Sequence, residues 1–373
     1  MKILYISKSV IPSRSANSIH VMKMCQAFAD NGHEVTLLAP NLKHLYEQNV
    51  NDNHKYYGVR GNFNIKKIFH PNIKGGAFLY TISIFFYLVI NKSFDLVYGR
   101  FLHGIYLAAL LKHKVVYETH LPISKKNNHR LFIFKKLIKS KYLKKMIVIS
   151  QALKNMYLDR GYLKDEEIKV AHDGADIVDN FDNKAELFGK RDYLKVGYVG
   201  HLYKGRGIKT IIECAKKMND VTFHLVGGLK EDIDYWKSYS ENLNLDNIFF
   251  YGFIPPNETN KYRNSFDIFL APYENKVSTF GGKQGDTSKF MSPLKIFEYM
   301  SHNKPIIVSD LPVIREVLSE KNSILVKPDN LQAWINSINK LKDSKERALL
   351  ANQALNDFEY YSWKNRASLV LEF

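Results

Sequence analysis

Cysteine is scarce: Cys25 and Cys214 are the only two, and they lie far apart in the chain. They make neither a disulfide framework nor a thiolate metal cluster, and a reducing compartment suits them. No apolar run reaches the roughly 18–20 residues that a membrane span needs. The longest, residues 77–90, has 14, which fits a core or interfacial helix. No leader is expected, because Met1-Lys2-Ile3-Leu4-Tyr5-Ile6 enters a strand-like run at once. Acids and histidines at metal-ligand spacing are missing as well. The Asp232-Ile233-Asp234 triplet follows Gly227-Gly228 and opens a helix, where acids serve the helix dipole. No metal and no resident cofactor are therefore expected. Acidic residues are few in the first half: residues 1–185 carry 28 Lys+Arg against 14 Asp+Glu, and the remainder carries 26 against 23. The net charge of +17 thus sits mostly in the first half. Such a surface admits nucleic acid, an anionic membrane or a phosphorylated acceptor as partner. No nucleic-acid motif is present, and the lysines lie among aliphatics rather than stacking aromatics, so no nucleic-acid partner is expected.

What is present describes a globular chain, 45% hydrophobic and 13% aromatic, long enough at 373 residues for two domains. Residues 2–7 read as a buried strand, 18–31 as an amphipathic helix closed by Asn31-Gly32, and 34–39 as a second strand. Strand–helix–strand units of this kind build parallel, doubly wound sheets that bind ligands at the carboxyl ends of their strands. The loop at the end of the first strand has no glycine, so its side chains, Arg14, Ser15 and Asn17, are the candidates there. His20 faces either a cleft or the core. Residues 41–76 read as a polar, irregular region. Strands follow at 94–98 and 114–118, the latter leading into Thr119-His120, with a helix at 102–111 between them. Residues 125–145 interleave lysines with Leu131, Phe132, Ile133, Phe134, Leu137, Ile138 and Leu143. This reads as a basic amphipathic helix for an anionic membrane surface, or as a helix packed on the sheet with solvated lysines.

The pattern restarts after a polar stretch at 180–192. A strand at 195–199 runs into Gly200-His201-Leu202-Tyr203-Lys204-Gly205-Arg206-Gly207 and a helix from 208 to 218. A glycine- and cation-rich loop before a helix is a phosphate site, with Gly200, His201, Lys204 and Arg206 as candidates. A long loop, 272–291, precedes Ser292-Pro293-Leu294-Lys295-Ile296-Phe297-Glu298-Tyr299-Met300. There Ser292 is expected as N-cap and Pro293 at the first helical position. Lys295 then falls where the helix dipole disfavours a cation by roughly 0.3–1 kcal/mol, a penalty that a bound anion reverses. Glu298, three residues on and on the same side, is placed to accept hydrogen bonds from hydroxyls beside that anion. Diphosphate next to ribose meets both requirements.

The run Ser292-Pro293-Leu294-Lys295 with Phe297-Glu298-Tyr299-Met300, then Lys304-Pro305-Ile306-Ile307-Val308-Ser309-Asp310-Leu311-Pro312 and Arg315-Glu316-Val317, resembles the donor signature of family-4 glycosyltransferases (glycosyl transferases group 1) of bacterial surface-polysaccharide type. Matches extend from Ile3 to Phe373. The resemblance implies an α/β GT-B fold: two Rossmann-like doubly wound domains facing a central cleft, with a C-terminal helix crossing back to the first. The corresponding boundaries are 1–187 for an acceptor-binding domain, 188–356 for a nucleotide-sugar domain and 357–373 for the returning helix. It further implies a metal-independent, retaining enzyme moving a sugar from a nucleoside diphosphate sugar, UDP favoured, to a lipid-linked or surface-glycan acceptor. Its place would be cytoplasmic, on the inner face of the membrane. By resemblance His120 is the histidine that contacts the donor sugar, and backbone near Phe253-Ile254 holds the base. Asp173-Gly174-Ala175-Asp176 resembles the hinge-side turn. Two departures stand out: His201 replaces an arginine, and Phe290 takes the place of the first of two glutamates that stand eight residues apart. Asp286 and Glu274 are possible replacements from the loop. Two rival readings are a sugar-nucleotide epimerase of the same fold and a basic nucleic-acid-binding protein.

Overall fold

The computed structural model describes residues 1–124, 128–278 and 285–373, which form two compact units. Unit 1 comprises residues 1–173 and 363–373, and unit 2 residues 174–362. The division thus comes earlier than the expected 187/188, and the return to unit 1 comes at Trp363 rather than 357. The intervening segment belongs with unit 2 because its carbonyls are used there. Asn264 Nδ2 donates to the Asn180 and Asn183 oxygens at 2.9 Å each, and Ser265 Oγ to Ala185 O at 2.9 Å.

Unit 1 alternates strands and helices: β1 (Lys2–Ile6), α1 (Ala16–Asp30), β2 (Glu34–Pro40), α2 (Asn53–Tyr57), β3 (Asn64–Ile68), α3 (Gly76–Ile90), β4 (Leu96–Gly99), α4 (Leu102–Leu110), β5 (Val115–Thr119), α5 (Asn128–Ile138), β6 (Leu143–Val148), α6 (Gln151–Leu158) and β7 (Ile168–Val170). All neighbouring strands pair parallel, in the order β3-β2-β1-β4-β5-β6-β7. The central strands are short apolar runs buried on both faces, as a parallel sheet between helix layers requires. The order reverses between β1 and β4, so the loops leaving those two strands open the crevice where such sheets bind ligands.

Unit 2 repeats the scheme with β8 (Leu194–Val199), α7 (Ile208–Lys217), β9 (Val221–Val226), α8 (Lys230–Glu241), β10 (Ile248–Gly252), α9 (Thr259–Ser265), β11 (Ile268–Ala271), α10 (Leu294–Met300), β12 (Ile306–Ser309), β13 (Ile324–Val326), α11 (Leu331–Lys340) and α12 (Ser344–Phe358). Its six parallel strands run β10-β9-β8-β11-β12-β13, with the reversal between β8 and β11. The loops after these two strands are the two read as donor-binding. The last helix, α13 (Trp363–Leu369), packs on α1 of unit 1.

Three expectations are corrected. The region 41–76 contains α2, capped by Asp52 and ended by Gly58 in the left-handed conformation at φ 58°, and the edge strand β3. A half-buried edge strand of sequence Asn-Ile-Lys-Lys-Ile carries no apolar run, so nothing announced it. The basic helix 125–145 is shorter than expected. Lys125 and Lys126 lie outside the described residues, and α5 ends at Ile138. A turn closed by Leu143 N donating to Ser140 O at 3.1 Å then puts Leu143, Lys144 and Lys145 in β6. In α10, Pro293 rather than Ser292 is the N-cap, because Pro293 is extended at ψ 123°, and the helix starts at Leu294. Lys295 therefore occupies the second helical position.

Candidate donor site and histidine network

In unit 2, the loop expected to bind the donor is built on glycines. Gly200 N donates to Val226 O at 2.8 Å and Gly227 N to Gly252 O at 2.7 Å, tying together the ends of β8, β9 and β10. Ile254, the expected base neighbour, follows Gly252 by two residues and is half-buried. Gly205 and Gly207 have φ of 90° and 72°. A Cβ on Gly207 would stand 1.6 Å from Pro272 O, so only glycine lets this loop dock on the loop after β11. Glu274 N completes the dock by donating to Gly205 O at 3.1 Å.

Two cations converge in this pocket of aromatic rings. Arg206 donates through Nη2 to Tyr203 Oη at 2.8 Å and lies 5.7 Å from the centroid of Tyr273. Lys295 Nζ sits 3.7 Å above the Tyr198 ring and 5.4 Å from the same Tyr273 ring. It is buried without a hydrogen-bond partner, and so is Arg206 Nε. A Cβ on Gly200 would meet Lys295 Nζ at 2.9 Å, so the ammonium lies directly against the loop backbone. Burial, with the nearby Arg206 charge, holds the Lys295 pKa well below the ordinary lysine range. The Tyr198 and Tyr273 rings offset part of the cost of burying this ammonium beside a second cation without a hydrogen bond, and a bound anion or deprotonation recovers the rest. Helix α10 has just seven residues, so the two side-chain charges, more than its dipole, define the site.

The other residues expected to bind the donor lie on the same two loops and on α10. Ser292 is buried, Pro293 and Leu294 are half-buried, and His201 lends its carbonyl to Tyr198 Oη at 2.6 Å. Lys204 lies exposed on the same loop. Glu298 is fixed by an ion pair to Arg263 Nη2 at 2.7 Å. Arg263, only 3% exposed, is held in turn by Thr259 Oγ1 and Asn260 Oδ1. Of the two replacements considered for the absent glutamate at Phe290, Asp286 is taken up in its own loop, accepting from Val277 N and Ser288 N at 3.1 and 2.9 Å. Glu274 is the one whose backbone is anchored to the 200–207 loop. Asp234 of the Asp-x-Asp triplet pairs with Lys230 at 2.7 Å along α8.

In unit 1, the expected loop residues are engaged with their own surroundings. Arg14 Nε donates to the buried Glu47 Oε1 at 2.5 Å, Ser15 caps α1 by accepting from Ser18 N at 3.2 Å, and Asn17 Nδ2 donates to Ser9 Oγ. His20 is core-facing, 1% exposed, with Nδ1 2.8 Å from Asp173 Oδ1. Its ring stacks edge-on against His120, 4.8 Å away.

Sequence reading missed the hub of this network, Glu118. Its Oε1 lies 2.5 Å from His120 Nε2, 3.0 Å from His20 Nε2 and 2.9 Å from Arg366 Nη2, while Tyr98 Oη donates to Oε2. The signal was in the sequence, since residues two apart on a strand share a face and Glu118 precedes His120 by two. Burial alone would raise the Glu118 carboxyl, but Arg366, His20 and the His120 hydrogen bond together hold it well below the usual range. Burial and the Arg100 charge push His120 down to about 3. A neutral His120 facing an ionised Glu118 carries its proton on Nε2, which leaves Nδ1 as an acceptor for a hydroxyl. At 13% its side chain is also the most exposed of the network. His20, His120 and Asp173 each bring one ligand atom within 4.8 Å of the others. Of their atoms, His20 Nδ1 is engaged with Asp173 Oδ1 and His120 Nε2 with Glu118 Oε1.

Three histidines with lowered pKa values give a pH prediction. His120, His224 and His302 are all lowered to about 3, chiefly by burial. A base whose folded pKa is depressed takes up its proton first in the unfolded chain, so stability falls as pH drops from about 6.5 towards 3. Each such histidine contributes about 1.4 kcal/mol per pH unit in that window. Melting temperature is therefore expected to fall steadily below about pH 6; a constant value down to about pH 4.5 would contradict the neutral assignment.

The family model described as Glycosyltransferase Family 4 matches residues 18–178, and that described as Glycosyl transferases group 1 matches residues 194–344. Over 205 residues the chain is 28% identical to TuaH of Bacillus subtilis, a candidate glycosyltransferase of teichuronic acid biosynthesis; this covers 51% of the chain and 48% of TuaH. The chain thus spans about half the length of that relative. An uncharacterised glycosyltransferase of Methanocaldococcus jannaschii is 22% identical over 98% of this chain and 95% of its own. Among solved structures, HepE of Anabaena in complex with UDP-glucose superposes with a TM-score of 0.70 at 16% identity, covering 100% of this chain and 98% of HepE.

Proposed function

We propose that this chain, which belongs to the family-4, group 1 glycosyltransferases and has their GT-B fold of two Rossmann-like domains, moves a sugar with retention from a UDP-sugar to a lipid-linked or surface-glycan acceptor. The observation that carries the reading is the buried, unpartnered Lys295 ammonium beside Arg206 on a glycine loop. Cleaving a sugar–diphosphate bond leaves charge on the departing diphosphate. Fixed cations in a water-poor site stabilise that charge without reorganising, which is where most of the rate gain arises. We assign this neutralisation to Arg206 and Lys295 rather than to a metal ion. Glu298, oriented by Arg263, accepts the ribose hydroxyls. His120 keeps the part that the resemblance implies, contact with the transferred sugar, through Nδ1 as acceptor. No side chain is assigned as nucleophile, so retention proceeds by front-side attack of the acceptor hydroxyl: the new glycosidic bond forms as the sugar–diphosphate bond breaks, and the hydroxyl proton passes to the departing diphosphate. UDP is favoured because HepE binds UDP-glucose on the same fold, and a polysaccharide acceptor because TuaH is linked to teichuronic acid.

The test is turnover. UDP-sugars are incubated with and without membrane lipid extract, and UDP, free sugar, glycolipid and epimerised donor are separated. Acceptor-dependent UDP release with an unchanged anomeric configuration supports the proposal, and epimerised donor without transfer overturns it. Glu298→Ala is expected to weaken UDP binding by about tenfold to a hundredfold, the value of one or two charge-assisted hydrogen bonds. Unchanged binding would remove Glu298 from the ribose site.

A further inference from the structure

Helix α3 is apolar on both sides. Tyr80, Ile84 and Leu88 form its buried stripe. The opposite face, which in an amphipathic helix would be polar, presents Phe78, Ile82, Phe85, Phe86, Val89 and Ile90. Phe78 is 69% exposed, Phe86 58% and Ile90 78%. At 100° per residue these six cluster around the direction away from the buried stripe. An apolar face of this extent is uncommon on a surface that meets only water. Yet no helix among the described residues is long and apolar enough to cross a membrane.

The surroundings of this face carry one sign of charge. Between Asp52 and Asp95 there is no acidic residue, while Lys55, Arg60, Lys66, Lys67, Lys74 and Lys92 fall in that interval. Lys74 and Lys92 stand exposed just before and after α3. At its C-terminal end a groove of about 570 Å³ is lined by Lys92, Lys112, His113 and Lys114, with Asp95 the one acid, its Oδ2 accepting from Lys2 N at 2.7 Å. Right-handed crossovers put α3, α4 and α5 on one side of the sheet, and they pack in that succession. The lysines of α5 therefore belong to the same helix layer, beside an exposed Phe132.

We propose that the outer face of α3 enters an anionic lipid surface, its aromatic and aliphatic side chains lying below the head groups. Lys74, Lys92 and the α5 lysines lie at head-group level. This deepens the reading of a lipid-linked acceptor and rests on it. Apolar burial and attraction to anionic lipid act together in such interfacial helices, and neither alone gives stable binding.

The test is co-sedimentation of the full chain with phosphatidylcholine vesicles, with and without phosphatidylglycerol. Phe78→Ser/Phe86→Ser/Ile90→Ser is compared with Lys135→Glu/Lys136→Glu/Lys139→Glu. The wild type is expected on vesicles containing phosphatidylglycerol and in solution with phosphatidylcholine alone. The apolar triple variant is expected to lose binding by at least about tenfold at unchanged melting temperature and UDP affinity, since all three side chains are exposed. Wild-type binding by that variant would overturn the proposal. So would a wild type that ignores phosphatidylglycerol, or one that sediments as a dimer and becomes monomeric in the variant, which would give the face to a second copy. Loss of UDP binding by the wild type with vesicle binding intact would strike the donor assignment and leave this one standing.

Discussion

Replacing Arg206 with Ala is expected to lower kcat/KM for sugar transfer by about a hundredfold to a thousandfold, the loss seen when one preorganised charge-stabilising donor is removed. Arg206 has the geometry for it: a guanidinium braced by Tyr203 Oη and the Tyr273 ring, with Nε unpartnered. Lys295→Met is expected to act similarly on turnover while raising melting temperature in the absence of nucleotide, because it removes a buried, unpaired ammonium. That opposition of stability and activity separates a ligand-directed lysine from a structural one. The pH dependence follows from the lowered Lys295 pKa. Diphosphate affinity requires the protonated amine, so it declines on the alkaline side at a pH below the ordinary lysine range, and Lys295→Met abolishes that limb. A lysine variant that loses stability and keeps turnover would overturn the assignment.

Removing Arg366 is the second large effect. The guanidinium is 2% exposed and donates to Glu118 through two nitrogens, to the Ala171 and His172 carbonyls and to Met24 Sδ. Arg366→Ala leaves an ionised carboxylate fully buried with one of its partners gone. A broken buried pair of this kind costs about 3–5 kcal/mol, measurable by urea unfolding. Adding Glu118→Gln to the same chain is expected to recover part of the loss, because the uncompensated charge disappears with it. The single variant also loosens the carboxylate that orients His120, so kcat is expected to fall more than donor affinity. A cost under about 1 kcal/mol would place the pair among solvent-screened surface contacts and contradict its burial.

Much of this arrangement is legible along the chain, because local pattern carries it. Both sheets announce themselves as apolar strands alternating with helices, and the loop 200–207 as glycines and cations between a strand and a helix. Lys295 was found as a cation in the wrong place for a helix start, even though that start lies one residue later than Ser292-Pro293 indicated. What escaped is non-local or two-sided. Glu118 and Arg366 meet at a sequence separation of 248, and Asp173 and His20 at 153; no spacing rule joins such pairs. Tyr198 and Tyr273, which enclose Lys295, come from different strands' ends. The alternation of lysine with aliphatics continued past Ser140 into β6, where period two replaced the helical period without a change in composition. The run 77–90 showed its hydrophobicity but not which side the sheet would cover, so the exposed face of α3 had to come from the fold.

In the proposed mechanism a diphosphate is held by Arg206 and Lys295. Calorimetric titration of the full chain with UDP, GDP, dTDP and CMP tests it most directly, repeated on Lys295→Met. Saturable binding of one nucleoside diphosphate is expected, with little binding of CMP and a loss of at least about tenfold in the variant, the value of one charge-assisted contact. Equal binding of CMP, or a Lys295→Met chain that holds the diphosphate as tightly as the wild type, would contradict it.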